Sequence, residues 1–336
     1  MNHYYFTHEK RVVQTVTNEK NIWLSAIMGV VVGDALGVPV EFCFRDELEE
    51  NPVTTMIGYG TYGQPEGTWS DDSSMTLATL DSIKNGYNLE DIMDKFLDWF
   101  KYAKYTPFGE VFDAGVTISR AIYQYERGVD VRTCGEDSEM SNGNGSLMRI
   151  MPICLYLIEE QEKRILSEDE AVQMIHEASG LTHNHLRSKI GCGLYYFVTK
   201  AIVEENGNLI KRVKKGLKKG FSYYQKQTLY IEELEYYSRL KHVEEFRNIS
   251  IENIKSSGYV VDTLEAAIWC LLNTEIYEKC LLKAVNLGDD TDTVGAVVGG
   301  VAGLYYGYDA IPNQWLEVIK KREWIEGLCK EERVER

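Results

Sequence analysis

From residue 22 to residue 328, apolar side chains return every three or four positions, and no stretch settles into two-residue alternation. Leu89, Ile92, Met93, Phe96, Leu97 and Phe100 fall on one face of a helix. The same period runs through 22–37, 72–84, 112–126, 146–158, 168–179, 186–204, 208–220, 229–245, 275–285, 292–305 and 313–328. Residues 262–273 are apolar on nearly all sides and read as a buried helix. Only 6 prolines occur in 336 residues, mostly between these segments. Pro39 and Pro152 are placed to stop or bend a helix. Strand and hairpin signals are few, and no fixed-period repeat or low-complexity linker interrupts the pattern. The expectation is an all-α protein: a single compact multi-helix domain over residues 21–330, preceded by an N-terminal extension, 1–20.

Charge narrows the function. The chain carries 36 Lys+Arg against 52 Asp+Glu, a formal net charge of −16. That sign opposes broad contact with a phosphate backbone, so nucleic acid is not the expected partner, although a pocket can still take a small anion. One basic run, Lys211 to Lys219, interleaves with Leu209, Val213 and Leu217. It reads as the solvated face of a helix or as a docking face for an acidic partner or nucleic acid. Residues 1–20 lack the apolar core of a signal peptide. The apolar stretches 26–44 and 296–308 are interrupted by acids and glycines, so no membrane association is expected. There are 7 cysteines and no C-x-x-C pair, which reads as reduced thiols in a cytoplasmic protein.

Two short segments are chemically costly: Ser70-Asp71-Asp72-Ser73-Ser74 and Asp289-Asp290-Thr291-Asp292-Thr293. Each follows a glycine-bearing turn and precedes an apolar helical run, at a helix N-terminus. A single aspartate there is a cap that complements the helix dipole. Two or three crowded carboxylates repel unless a proton or cation intervenes. Hard divalent cations, held by carboxylate and hydroxyl oxygens, answer that repulsion. Two glycine-rich loops, 58–69 and 141–146, allow close approach of backbone to a ligand, and neither is a P-loop or a dinucleotide fingerprint.

These residues recur in order in a known family. Gly33-Asp-Ala-Leu-Gly-Val-Pro-Val-Glu-Phe42, Gly67-Thr-Trp-Ser-Asp-Asp-Ser-Ser-Met-Thr-Leu77 and Asn142-Gly-Asn-Gly-Ser-Leu-Met-Arg-Ile-Met-Pro152 come first. Leu181-Thr-His183, Gly258-Tyr-Val-Val-Asp-Thr-Leu-Glu-Ala-Ala267 and Asn286-Leu-Gly-Asp-Asp-Thr-Asp-Thr-Val-Gly295 follow. Over about residues 22–308 the chain resembles the ADP-ribosylglycohydrolases, the group that includes dinitrogenase reductase–activating glycohydrolase and the ADP-ribosyl-acceptor hydrolases.

The resemblance implies an all-α fold with a binuclear Mg²⁺ or Mn²⁺ site. Its ligands would come from Ser70, Asp71, Asp72, Asp290, Asp292 and Thr293. Asp289 stands where the family usually has glycine and is given no metal role. Glu41, Asp71 and Asp292 are the implied catalytic residues, with Glu41 or Asp71 handling the proton. Substrate contacts are implied for Gly109, Asp113, Asn142, Gly143, Asn144, Gly145, Ser146, Met148, His183 and Tyr259. The 143–146 amides, at the start of the 146–158 helix, would cradle phosphate. His183 reads as a phosphate or ribose contact or as a core histidine. Tyr259 reads as an adenine stack or a core tyrosine, and Arg149 as structural or ligating. The implied reaction is hydrolysis at C1″ of ADP-ribose attached to a protein side chain or small adduct, with ADP-ribose as product. The rival readings are a catalytically inactive binding or structural member and a metal-dependent nucleotide phosphohydrolase, which would release AMP.

Overall fold

The structure, a computed structural model, describes residues 21–163 and 165–330. The expected extension 1–20 lies outside them. The described residues form sixteen α-helices joined by turns and short 3-10 segments, with isolated bridges but no strand. In chain order they are α1 (Ile22–Gly37), α2 (Arg45–Glu50), α3 (Asp71–Ile83), α4 (Leu89–Tyr102), α5 (Val116–Glu126) and α6 (Met151–Glu162). Next are α7 (Glu168–Gly180), α8 (Leu186–Glu204), α9 (Leu209–Tyr224), α10 (Ile231–Leu234) and α11 (Val243–Arg247). The last are α12 (Val260–Leu272), α13 (Tyr277–Val285), α14 (Thr291–Tyr306), α15 (Asn313–Val318) and α16 (Arg322–Lys330). The all-α single domain is as expected.

Two apolar helices form the axis of the fold. α1 and α14 run antiparallel with their backbones almost touching. A Cβ on Gly33 would lie 2.0 Å from the Gly295 carbonyl oxygen, and one on Gly299 would lie 2.2 Å from that of Gly29. Glycine at every fourth position of both helices (29, 33, 37 and 295, 299, 303) removes the side chains that would hold them apart. The contact sets the end of α1 against the start of α14: the Thr291 hydroxyl donates to Gly37 O at 2.8 Å. Residues 22–40 are, against expectation, long and apolar enough to cross a membrane by composition. That window is 89% buried within the protein, as the core helix of this bundle is.

Several boundaries differ from the periodic reading. The 112–126 segment becomes helical only at Val116, and the 146–158 segment only at Met151. Pro152 therefore opens α6, where its missing N–H costs nothing, while Pro39 lies in the 3-10 turn that ends α1. Residues 229–245 break into α10, a 3-10 segment and α11; residues 313–328 divide into α15 and α16 around Lys321, whose φ is +51°. On α9, Leu209, Val213 and Leu217 are buried and the lysines face outward. Lys214, Lys215 and Lys219 meet Glu244, Glu205 and Glu204 there.

Candidate active site

The two acidic segments, 220 residues apart in the chain, meet in space. Asp72 Oδ2 accepts hydrogen bonds from Ser70 Oγ at 3.3 Å and from Thr293 Oγ1 at 3.2 Å. The N-termini of α3 and α14 thus point at one another, and both dipoles favour negative charge at that point. Ser70 is the α3 N-cap, accepting from Asp72 N, and Asp290 occupies the N-cap position of α14 without capping it. Glu41, Asp113 and Asp292 form a second triangle, with one carboxylate oxygen from each lying within 4.8 Å of the others.

Burial makes this crowding expensive. Asp34, Asp71, Asp72, Asp292 and Glu41 are all buried. Loss of water raises Asp71, Asp72 and Asp292 well above the usual carboxylate range, and the charges of neighbouring acids raise them further. The same burial, with Asp113 nearby, pushes Glu41 up to about 8. Glu41 Oε2, Asp72 Oδ1, Asp290 Oδ1 and Asp292 Oδ2 have no hydrogen-bond partner. Buried polar atoms are rarely left so, and four from neighbouring carboxylates fit a site that holds a cation or protons. With the Ser70 and Thr293 hydroxyls they make a hard-oxygen donor set, the kind that suits Mg²⁺ or Mn²⁺.

Above these groups opens a cleft of about 290 Å³. Its walls include Glu41, Asp71, Asp113, Asp290 and Thr293 together with Gly143, Asn144, Gly145, Met148 and His183, with no lysine or arginine among the described lining. Ser70, Asp72 and Asp292 lie buried beneath it. Asn144 ties the glycine loop to α14 and α12: its Nδ2 donates to Asp290 Oδ2 at 2.9 Å and to Thr263 Oγ1 at 2.8 Å. Because α6 begins at Met151, the 143–146 amides belong to a turn and not to a helix N-terminus.

Four expected substrate contacts lie outside the cleft wall. Gly109 sits exposed on a turn at φ +81°, its N–H donating to Thr106 Oγ1. Asn142 is spent on Ser188 and Glu139, and the buried Ser146 hydroxyl on Ser179 and Cys192. Tyr259 is half-buried, its ring 5.9 Å from the Arg187 guanidinium, which lies closer still to Tyr236. Arg149 is fully enclosed in the core.

Two contributors escaped the sequence reading. Asp34 is a charge in the middle of an apolar helix, and its carboxylate accepts from Ser70 N (2.9 Å), Ser73 N (2.9 Å) and Ser73 Oγ (2.5 Å). It clamps α1 to the start of α3. The isolated acid in an otherwise apolar run was the visible signal. Tyr62, from the first glycine-rich loop, lies beside Glu41 and Asp113 and packs on Phe112 at 5.1 Å. The Glu41 loop is fastened from below: Phe42 N donates to Asp289 O at 2.7 Å and Asp289 N to Cys43 O at 2.9 Å. Phe42 (φ +66°) and Asp289 (φ +60°) are both left-handed, the conformation that glycine takes most readily. Asp289 is exposed, away from the buried cluster.

Comparison with known proteins places the chain in a family and matches its fold. The sequence model of the ADP-ribosylglycohydrolase family matches residues 17–336. The chain is 30% identical over 308 residues to the ADP-ribosylarginine hydrolase Tri1 of Serratia proteamaculans, covering 91% of this chain and 77% of that protein. It is 29% identical to the ADP-ribosyl-[dinitrogen reductase] glycohydrolase of Rhodospirillum rubrum, covering 88% and 89%. Among solved structures, an ADP-ribosylglycohydrolase-related protein complex superposes with a TM-score of 0.73 at 29% identity, covering 92% of this chain and 95% of that one.

Proposed function

The chain belongs to the ADP-ribosylglycohydrolase family, and from that premise we propose that it is a metal-dependent hydrolase that cleaves the C1″ glycosidic bond of ADP-ribose attached to an acceptor. The observation that carries the reading is the convergence of buried carboxylates with unpartnered oxygens beneath one cleft. Two Mg²⁺ or Mn²⁺ ions, held by Ser70, Asp71, Asp72, Asp290, Asp292 and Thr293, would supply orientation of the distal ribose diol and a water of lowered pKa. The chain itself supplies the rest. Gly143, Gly145, Met148 and His183 form the wall that takes the diphosphate and nucleoside end. Glu41 and Asp71, both lining the cleft, handle the proton lost by the attacking water and the proton needed by the departing acceptor. Tyr62 lies beside Glu41 and Asp113 at the rim of this acidic group. The acids around C1″ favour the positive charge that develops on the ribose ring as the bond breaks. Water adds to C1″, the acceptor leaves with a proton, and ADP-ribose is released.

The acid-lined mouth suits a cationic leaving group, so an arginine N-glycoside is the first acceptor to test. The named activity of the Serratia relative supports that choice. The experiment is a panel of arginine-linked, serine-linked and O-acetyl ADP-ribose, with EDTA and then with added Mg²⁺ or Mn²⁺. Intact ADP-ribose should appear only with metal and fastest from the arginine adduct. Release of AMP, or turnover that survives EDTA, would contradict the proposal.

A further inference from the structure

Arg149 is wholly enclosed, and the chemistry above leaves it unused. No carboxylate pairs with it among the described residues. Its Nη2 donates to Ala178 O at 3.2 Å and to Thr182 Oγ1 at 2.8 Å, and its charge lies over the Phe96 ring at 4.7 Å. Nε and Nη1 have no partner. A cation without a counter-charge in the core is costly, which asks for a reason beyond packing. Thr182 Oγ1 in turn lies 2.9 Å from His183 Nδ1.

The hydrogens in this chain can be counted. A guanidinium only donates, so the Thr182 oxygen accepts from Arg149. The threonine's own hydrogen then has one acceptor in reach, His183 Nδ1. If Nδ1 carried the ring proton, a fully buried hydroxyl hydrogen would be stranded, at the cost of an unmade hydrogen bond. The ring proton therefore sits on Nε2. Backbone bonds hold the segment in register: Glu136 N donates to Thr182 O and Asn184 N to Glu136 O. Nε2 faces the glycine loop of the cleft, where a methyl on Gly143 would come within 3.3 Å of it, and it has no partner among the described residues. His183 itself is only 2% exposed.

We propose that Arg149 and Thr182 are positioning residues that lock His183 as its Nε2–H tautomer, a neutral donor aimed into the cleft at an anionic oxygen of the ligand. The buried guanidinium also sets a positive charge behind a cleft otherwise lined by acids. One end of the cleft then suits cations and the other an anion, a polarity that fits a sugar diol at one end and a diphosphate at the other. Burial, reinforced by the Arg149 charge, holds His183 down at about 3, so the ring stays neutral at working pH. The identity of the anion as the diphosphate of ADP-ribose rests on the activity proposed above; the tautomer does not.

The test reads the ring directly. Long-range ¹H–¹⁵N spectra of histidine-labelled, ligand-free protein distinguish the tautomers, with His183→Asn assigning the signal. Wild type and Thr182→Ser should show Nε2–H with a hydrogen-bonded Nδ1, and Thr182→Val should lose the Nδ1 hydrogen-bond shift. ADP-ribose, titrated by calorimetry, should bind Thr182→Val about tenfold more weakly than wild type, and Thr182→Ser should recover most of that loss. An Nδ1–H or doubly protonated ring in wild type at pH 7 overturns the proposal, as does unchanged ADP-ribose affinity in Thr182→Val. A wild type with the expected tautomer that fails to bind ADP-ribose instead counts against the activity reading and upholds the lock.

Discussion

Asp292 is pressed against Glu41, Asp72 and Asp290, with one oxygen unpartnered. Its ionised form serves a cation, and without one the folded protein must protonate it. Asp292→Asn keeps the shape and removes the charge. The EDTA-treated variant should be more stable than EDTA-treated wild type by about 1–2 kcal/mol in urea at pH 7, since a carboxyl that must take up a proton to be buried is gone. Turnover in Mg²⁺ or Mn²⁺ should fall by roughly a thousandfold. A variant that is both less stable without metal and still active would refute the role. Asp34 has the opposite balance, because its carboxylate is satisfied. Asp34→Ala should cost about 3 kcal/mol, as three donors lose a charged acceptor, and should lower metal affinity by loosening the start of α3; urea melts and Mn²⁺ titration measure the two effects. Asp71, Asp72, Asp290 and Asp292 could be picked out of the sequence because a helix cap needs one acid and these segments hold more. Asp34 and Tyr62 could not be assigned, because their roles come from partners that only folding brings near. The Ser70 amide, for instance, is 36 residues away from Asp34.

At the scale of elements, the α1–α14 contact places the site. A Cβ on Gly295 would lie 2.3 Å from Gly33 O, a distance that no side-chain rotation relieves. Gly295→Ala should cost about 3 kcal/mol or more by forcing the helices apart. Turnover should fall with it, since Asp290, Asp292 and Thr293 ride on the N-terminus of α14. A urea midpoint equal to that of wild type would contradict so close an approach. The four-residue glycine spacing of both helices is plain in the sequence, yet apolar periodicity alone does not say which two helices pair. Helix type was legible throughout, whereas helix ends were not. Residues 112–115 follow a helical pattern but run non-helically, which leaves Asp113 on a loop beside Glu41. The 144–149 turns likewise hold Asn144 against Asp290, a partner 146 residues away.

The whole molecule responds to pH through the same cluster. Glu41 is raised to about 8 and Asp34 to about 6, above ordinary values of 4.5 and 3.8. The folded protein thus holds protons that the unfolded chain has already released. The contribution of these groups to metal-free stability should therefore be full below about pH 4 and decline as pH rises toward about 8, as they ionise against one another. Divalent cations reverse this by taking the protons' place, so the rise in melting temperature on adding Mn²⁺ should be larger at pH 8 than at pH 6. Scanning fluorimetry with and without metal at the two pH values checks it; an equal rise at both would contradict the coupling. The sequence by itself determined the all-helical fold, the acidic segments and the family, because helical period, residue chemistry and ordered motifs are local properties of the chain. The tertiary structure alone decided that the two acidic segments share one cleft, that Asp34 braces it and that Tyr62 lies beside it. It also tied Ser146 and Asn142 into hydrogen bonds outside the cleft wall and set Arg149 behind His183. Those facts depend on the close approach of α1 and α14 and on hydrogen bonds between residues far apart in the chain, which no local pattern encodes.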